Sequence, residues 1–167
     1  VAIMMETMRI LKSLDVQPLR TIRIGLWGGE EQGYFGSTAY VDQHFVNGDE
    51  KHFVYFNLDN GAGLIRGIKL QNNDKAVDLM TDWFSVLNME STKTVSLLNA
   101  EMTDHIPFQD AGLPGYQFIQ DHLDYFSIYH TQMDLMGRVP EEDMKQNAFI
   151  MAVLTWLAAN HEGDFPQ

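Results

Sequence analysis

Two adjacent carboxylates lie in a glycine-rich turn in the first part of the sequence. The turn reads Gly28-Gly29-Glu30-Glu31-Gln32-Gly33, and glycines permit backbone conformations that other residues avoid. Neighbouring carboxylates repel each other unless a positive charge lies beside them. A metal ion would supply that charge, with one carboxylate as its ligand and the other free to take a proton from a metal-bound water. A solvated acidic turn before a helix explains the same residues and stays open as an alternative.

Two more side chains of metal-ligating type follow further along the chain. Asp59 comes directly after a run of apolar and aromatic residues that predicts a buried strand, and His130 lies in a polar loop before the last predicted helix. Carboxylate with imidazole is a typical ligand set of catalytic zinc. Taken alone, Asp59 is more typical of a turn that closes a strand, and His130 of an exposed loop histidine.

A third polar segment joins an acid to an imidazole, at Asp104 and His105. Their spacing matches no metal-ligand pair, and His105 is compatible both with a pocket wall and with hydrogen bonding to the backbone. Aromatic residues cluster in the same stretch, most of them suited to the core and one or two to a substrate side chain. The candidate substrate contacts are Asp104, His105, Phe118 and Tyr129.

Helical and strand patterns alternate along the chain. Apolar spacing predicts helices over 1–14, 37–44 with Ser37 as cap, 76–87, and from Pro140 onward. Strands are predicted over 21–27, 52–58, 65–70, 92–97 and 115–119. This alternation indicates an α/β fold with a mostly parallel sheet, in which ligands bind beyond the carboxyl ends of the strands. Glu30, Glu31 and Asp59 would then meet at one edge.

Composition narrows the possible partners and the domain organisation. The 167 residues suit one domain, 1–167, and 11 basic against 23 acidic residues give a net charge of −12. Nucleic acid and anionic membrane surfaces are therefore poor partners. The sequence holds no cysteine, which excludes disulfides and thiolate metal sites. The longest apolar stretch, 148–159, is too short for a membrane span of about 20 residues.

The motifs and their spacing resemble those of a known family. The stretch from Arg20 to Gly33, with Gly36-Ser37 and Ala39-Tyr40 after it, is similar to the central motif of the co-catalytic di-zinc aminopeptidases. The stretches 103–121 and 130–134 are closer to the branch of that family that includes carboxypeptidase Q. The resemblance covers nearly the whole chain, and it implies a three-layer α/β/α fold with a mostly parallel mixed sheet.

The resemblance also implies a role for each candidate residue. Glu30 is similar to the general base that activates a metal-bound water, Glu31 and His130 to ligands of one zinc ion, and Asp59 to a ligand of the second. In the family a histidine and a metal-bridging aspartate come earlier, ahead of a helix like 1–14. Because this sequence opens inside such a helix, we expect a C-terminal portion of the domain that binds zinc weakly and hydrolyses peptides poorly by itself. Strands missing from the sheet would expose an edge and invite self-association.

The resemblance favours a zinc-dependent exopeptidase, an aminopeptidase or a dipeptidase or carboxypeptidase, acting on peptides or dipeptides. Two alternatives stay open. A glutaminyl cyclase has the same fold with a single zinc ion, and a metal-free interaction domain keeps the fold without catalysis. The presence of all four candidate residues, Glu30, Glu31, Asp59 and His130, argues against the second alternative. Family members are commonly exported, which implies a periplasmic or extracellular location.

Overall fold

A four-stranded sheet forms the middle layer of the protein, which a computed structural model describes over residues 1–100 and 102–167. The strands are β1 (Tyr55–Asn57), β2 (Ile65–Lys69), β3 (Thr94–Ser96) and β4 (Gly115–Gln120), in the order β1-β4-β2-β3. The pairs β1–β4 and β2–β3 are parallel, whereas β2–β4 is antiparallel. This confirms the predicted α/β class with a mostly parallel, mixed sheet.

Helices cover both faces of the sheet. They are α1 (Ala2–Ser13), α2 (Phe35–Val41), α3 (Val77–Val86), α4 (Ile106–Asp110), α5 (Tyr125–Ile128) and α6 (Glu141–Asn160). A π-helical turn (Asp42–Val46) extends α2, and short 3-10 turns occur at Asp74–Ala76 and Met136–Arg138. The alternation of side chains along β4 explains the layering, since successive residues of a strand face opposite sides. Tyr116 and Phe118 join the buried apolar cluster formed with α3 and α6, while Gln117 contacts Asn57 on the other face.

The layer formed by α1 and α6 rests on apolar burial. Ile3 of α1 and Leu154 of α6 belong to the main core cluster, and the Thr7 hydroxyl of α1 lies 3.4 Å from the Ala148 carbonyl oxygen. Helix α6 begins with three acids, which the positive end of the helix dipole stabilises. Pro140 is its N-cap residue and not its first helical residue, so the helix begins one residue later than the sequence pattern predicts.

Helix α2 begins earlier than the sequence predicts, and Ser37 is not its cap. The N-cap is Tyr34, whose backbone is left-handed with φ 58°, and Ser37 lies inside the helix. Its hydroxyl donates a hydrogen bond to Asp104 at 2.5 Å. Serine is typical of an N-cap because its hydroxyl often accepts a hydrogen bond from the first turn of a helix, but here the hydroxyl donates to a buried carboxylate.

The segment 21–27 departs most from the prediction. It has an alternating β-type sequence, but it pairs with no strand and makes no backbone hydrogen bond to any residue that the structure describes. The strand predicted over 52–58 is likewise shorter, with only Tyr55–Asn57 in the ladder. Pairing, and not local sequence, decides which extended residues become a strand. Among the described residues, no helix has the length and apolarity needed to cross a membrane.

Candidate active site

The Gly28–Gly33 turn is held by backbone contacts with the start of α2. Gly33 and Tyr34 both donate to the Glu30 carbonyl oxygen at 3.0 Å, and the Gly36 amide donates to the Gly28 carbonyl oxygen at 2.9 Å. Gly29 and Gly33 have φ values of 71° and 110°, which favour glycine. These contacts fix the backbone that carries the two carboxylates.

His130 contacts the second of these carboxylates. Its Nε2 lies 2.6 Å from Glu31 Oε1, although the two residues are 99 positions apart in the sequence. The backbone of His130 is left-handed with φ 60°, and the next residue, Thr131, closes the turn by donating from its hydroxyl to the Ile128 carbonyl oxygen at 2.5 Å. The structure thus brings together the carboxylate and the imidazole that the resemblance assigns to one metal ion.

Asp59 follows β1 at the same end of the sheet. The Tyr125 hydroxyl lies 3.4 Å from its backbone carbonyl oxygen. Partial desolvation raises the pKa of the Asp59 carboxyl, and the negative charges of Asp104 and Glu31 raise it further. Asp59 therefore lies within electrostatic range of the turn.

Glu30 is surrounded by other acids. Desolvation raises the pKa of the Glu30 carboxyl above its ordinary value, and the charges of Asp59, Glu31 and Asp104 add to this effect. His130 acts in the opposite direction. A carboxyl whose pKa moves toward neutrality is a better proton acceptor at physiological pH, because catalytic efficiency is highest when the pKa lies near the working pH.

Asp104 is the fourth acid of this group, and sequence reasoning did not anticipate its partner. Its side chain is buried and accepts the hydrogen bond from Ser37. Burial raises the pKa of Asp104, and the Ser37 hydroxyl partly counteracts the rise. Asp104, Glu30 and Asp59 line one cavity of about 1470 Å³. Asp104 therefore remains a candidate for substrate contact.

His105 and Phe118 lie where no substrate can reach them. His105 is completely buried, its Nδ1 contacts the Thr103 hydroxyl, and its Nε2 lies 3.2 Å from the Ala100 carbonyl oxygen. Phe118 is 1% exposed and belongs to the core cluster. Of the two interpretations of His105 left open by the sequence, the structure favours hydrogen bonding to the backbone. Burial lowers the pKa of its ring.

Tyr129 has the exposure that a substrate contact needs, at 40%. Its ring stacks on Tyr125 with the centroids 5.2 Å apart and tilts against the neighbouring His130 ring at 4.5 Å. Tyr125 is a second residue that the sequence placed only in a general aromatic cluster. Tyr125 connects the His130 loop to Asp59. Desolvation raises the pKa of the Tyr125 hydroxyl, and the negative charge of Asp59 raises it further.

The side chains at this site are of the types that bind zinc, but too few of them converge to complete the coordination of one ion. Two atoms that bind one zinc ion at about 2.0–2.2 Å in tetrahedral geometry lie about 3.4 Å apart, so Glu31 and His130 at 2.6 Å would separate slightly to hold an ion. The crowding of acids that raises the pKa values of Glu30 and Asp59 marks a place where a cation is stabilising. Within the described residues, no group of three or more histidine, aspartate or glutamate side chains forms a site for one ion.

Comparison with known proteins identifies the family. The sequence profile of "Peptidase family M28" matches residues 1–155. The chain belongs to this family. Carboxypeptidase Q of Rattus norvegicus is 31% identical over 163 residues, covering 97% of this chain but 34% of the relative. The M28 chain therefore spans about a third of the length of the curated relatives that it matches.

Solved structures agree with the M28 assignment. A peptidase M28 precursor from Shewanella amazonensis SB2B superimposes with a TM-score of 0.87 at 27% identity, covering 99% of this chain and 37% of the other. The zinc aminopeptidase BSAP from Bacillus subtilis superimposes with a TM-score of 0.74 at 26% identity, covering 98% and 42%. The resemblance stated from the motifs is thus confirmed at the level of family and fold.

Proposed function

We propose that the full-length protein containing this chain is a zinc-dependent exopeptidase that hydrolyses peptide bonds, as an aminopeptidase or as a dipeptidase or carboxypeptidase. The contact between Glu31 and His130 carries this proposal, because it joins two zinc-type donors, a carboxylate and an imidazole, beside a second carboxylate, Glu30. Membership of family M28 and the named peptidase relatives favour hydrolysis over cyclisation or a non-catalytic role.

Glu31 and His130 would hold one zinc ion, and Asp59 would contribute to a second. When bound, zinc supplies Lewis acidity that polarises the scissile carbonyl group and lowers the pKa of water. Since structural and catalytic zinc sites use three or four protein ligands, the donors described here would need further ligands from the full-length protein. We accordingly expect the 167-residue chain alone to bind zinc weakly and to hydrolyse peptides poorly.

Glu30 would act as the general base. It is next to a proposed zinc ligand, it lies on a turn fixed by backbone contacts, and desolvation raises its pKa above the ordinary value, which makes its carboxylate a stronger base. In the proposed reaction Glu30 accepts a proton from water as the oxygen attacks the scissile carbonyl carbon. It then delivers that proton to the nitrogen of the leaving amine as the C–N bond breaks.

Asp104 and Tyr129 would meet the substrate near this centre. Asp104 faces the cavity that Glu30 and Asp59 line, and Tyr129 is exposed beside His130. A peptide or dipeptide is the proposed substrate. His105 and Phe118 are left out of the proposed contacts because both are buried.

Metal analysis with kinetics of the full-length protein tests these roles. We expect about two zinc ions per chain and release of free amino acid from peptides. Glu30→Gln should keep its zinc but lose activity by roughly 10²–10⁴-fold, the range typical of a general base. His130→Ala should lose zinc, whereas His122→Ala, at an exposed histidine nearby, should keep both zinc and activity. Undiminished zinc binding in both Glu31→Ala and His130→Ala would contradict the proposed site.

Location and assembly complete the proposal. A periplasmic or extracellular home rests on the family resemblance, and fractionation of the source cells tests it. We propose self-association of the 167-residue chain through an exposed sheet edge. Sedimentation of this chain over a range of concentrations would detect such pairing.

A further inference from the structure

The loop that carries His130, residues 124–138, is held by little apolar packing. Every residue from 129 to 139 is exposed, and Ile128 is the one buried side chain among residues 124–138. Apolar burial is the main favourable term in folding, and a segment with few buried apolar side chains opens locally at low free-energy cost. The position of a proposed zinc ligand therefore depends on polar contacts.

Two side chains of this His130 loop form hydrogen bonds to distant parts of the described chain. The His130 Nε2 lies 2.6 Å from Glu31 Oε1, and the Tyr125 hydroxyl lies 3.4 Å from the Asp59 carbonyl oxygen, near the upper limit for a hydrogen bond. A zinc ion between Glu31 and His130 would replace their direct hydrogen bond. The loop therefore needs a constraint that does not use the ligand itself.

The backbone of the loop is strained at His130. Its φ of 60° lies in the left-handed region, which residues other than glycine occupy only when the surrounding structure holds them there. Within the turn, the Thr131 amide donates to the Ile128 carbonyl oxygen at 3.1 Å, and the Met133 amide donates to the Thr131 hydroxyl at 3.1 Å. These local bonds fix the shape of the turn, but they do not fix its position relative to Glu31.

An ion pair closes the His130 loop at its base. Arg138 Nη1 donates to Asp124 Oδ2 at 2.5 Å, across 14 positions of sequence, and the two side chains are 40% and 35% exposed. Asp124 directly precedes α5, and Arg138 is the last residue of the 3-10 turn that begins at Met136. Joining the two ends of a flexible segment removes extended conformations from its ensemble. Neither Arg138 nor Asp124 is among the proposed metal ligands, so the pair restricts the loop independently of them.

We propose that Arg138 and Asp124 are positioning residues, whose ion pair keeps the His130 loop in the conformation that binds zinc. The inference rests on the proposed function, in which His130 is a zinc ligand. The apparent affinity of a site falls with the fraction of molecules in the binding-competent conformation. The ion pair acts on zinc binding through this fraction, since it orders the loop and supplies no ligand.

The expected effect on zinc affinity is modest, because an exposed ion pair changes an equilibrium by about 2–5-fold. The same change is small against the stability of a whole domain, where most single surface substitutions have little effect. In a loop with one buried side chain, Ile128, it is a large share of the local stability. Zinc affinity should therefore respond to the ion pair while global unfolding does not.

Competition between the full-length protein and a chromogenic zinc chelator measures this effect. Arg138→Gln should weaken zinc binding by about 2–5-fold. Arg138→Asp should weaken it further, because two carboxylates then repel each other. The charge swap Arg138→Asp with Asp124→Arg restores the attraction and should bind zinc more tightly than Arg138→Asp alone. Arg9→Gln removes an exposed ion pair with Glu6 on α1 and should leave zinc affinity unchanged.

A double-mutant cycle with His130→Ala separates positioning from a general loss of structure. His130→Ala should weaken zinc binding by itself. Arg138→Asp should add no further loss in that background, because the ligand that the ion pair positions is absent. Thermal denaturation in chelator should give nearly the same melting temperature for Arg138→Asp and for the parent protein.

Three results would overturn the ion-pair proposal alone. Parent-like zinc affinity in Arg138→Asp, with zinc lost in His130→Ala, would show that the pair does not position the ligand and would leave the proposed function intact. Equal losses from Arg138→Asp with and without His130 would show a general structural role. A raised KM for a peptide at unchanged zinc affinity would make Arg138 a substrate contact. Parent-like zinc affinity in His130→Ala would instead refute the proposed function and, with it, this role of the pair.

Discussion

Ser37 of α2 donates a 2.5 Å hydrogen bond to the buried carboxylate of Asp104, which lies 67 residues further along the chain. The bond connects the helix that follows the Glu30–Glu31 turn to the loop that precedes α4. It also opposes the desolvation that raises the pKa of Asp104. One hydroxyl therefore supports both the packing of this layer and the charge of an acid beside the proposed site.

Ser37→Ala should destabilise the protein by about 1–3 kcal/mol at neutral pH, because a buried carboxylate loses a charge-assisted hydrogen bond. The cost should shrink as the pH falls through the folded pKa of Asp104, which lies above the ordinary value of 3.8, because the folded carboxyl is then protonated with or without Ser37. Urea denaturation at several pH values measures this. Thr38→Ala, at an exposed position next to it, is the control and should change stability by less than about 0.5 kcal/mol.

Glu30→Gln should stabilise the metal-free protein at neutral pH. The pKa of Glu30 is higher in the folded chain than its ordinary value of 4.5, so folding favours the protonated form. Stability therefore falls as the pH rises from below 4.5 through the folded pKa, and glutamine removes that loss. Thermal denaturation in chelator at pH 4 and pH 7 should show the gain at pH 7 alone. Glu6→Gln should act in the opposite direction, because the pKa of Glu6 is lowered by Arg9.

His52→Gln should weaken the loss of stability in mild acid. The ring is half-buried between aromatic neighbours, and its Nε2 donates to the Pro114 carbonyl oxygen at 2.9 Å. Desolvation lowers the pKa of His52 below 6.5, so its contribution is complete above 6.5 and declines as the pH falls through the folded pKa. Glutamine keeps a donor without titrating. A variant whose stability declines between pH 7 and pH 5 as steeply as that of the parent protein would refute this assignment.

Phe118→Ala should destabilise the protein by about 3–5 kcal/mol, the usual cost of removing a buried aromatic ring. Phe126→Ala, at a ring that is 62% exposed, should cost far less. The smaller change Phe118→Leu, assayed in the full-length enzyme, should lower the melting temperature and leave KM for a peptide substrate unchanged. A raised KM without loss of stability would restore Phe118 as a substrate contact.

The sequence predicted the α/β class, the ends of α1 and α3 to within one residue and the start of α6, because apolar periodicity and turn residues are local signals. The short helices α4 and α5 were not predicted, since one turn carries too little periodicity. It also placed Glu30 and Glu31 after an extended segment, Asp59 after β1 and His130 in a loop, since chain order and polarity are visible in the letters. The contact between Glu31 and His130 depends on packing across 99 residues, and the resemblance supplied what periodicity did not.

Burial and pairing are the properties that the sequence did not reveal. Phe118 and the exposed Phe126 are chemically identical, and only the position of β4 inside the layers separates them. Ser37 is a residue type that often caps a helix, but its hydrogen-bond partner, Asp104, comes from a distant loop. The segment 21–27 has strand chemistry, yet a ladder needs a neighbour at the right distance, which no local pattern encodes.

Gly36 lies so close to the acidic turn that a β-carbon there would come within 2.7 Å of the Gly28 nitrogen. At this point the main chain of α2 contacts the main chain of the Gly28–Gly33 turn, and the space beside the Gly36 α-carbon admits a hydrogen atom but no β-carbon. Any residue with a side chain would push the backbone of the turn away from α2, and Glu30 and Glu31 would move with it relative to His130. The position of Glu30 and Glu31 relative to His130 therefore depends on the absence of a β-carbon at residue 36, and Gly36→Ala should change the distance between the carboxylates and the imidazole.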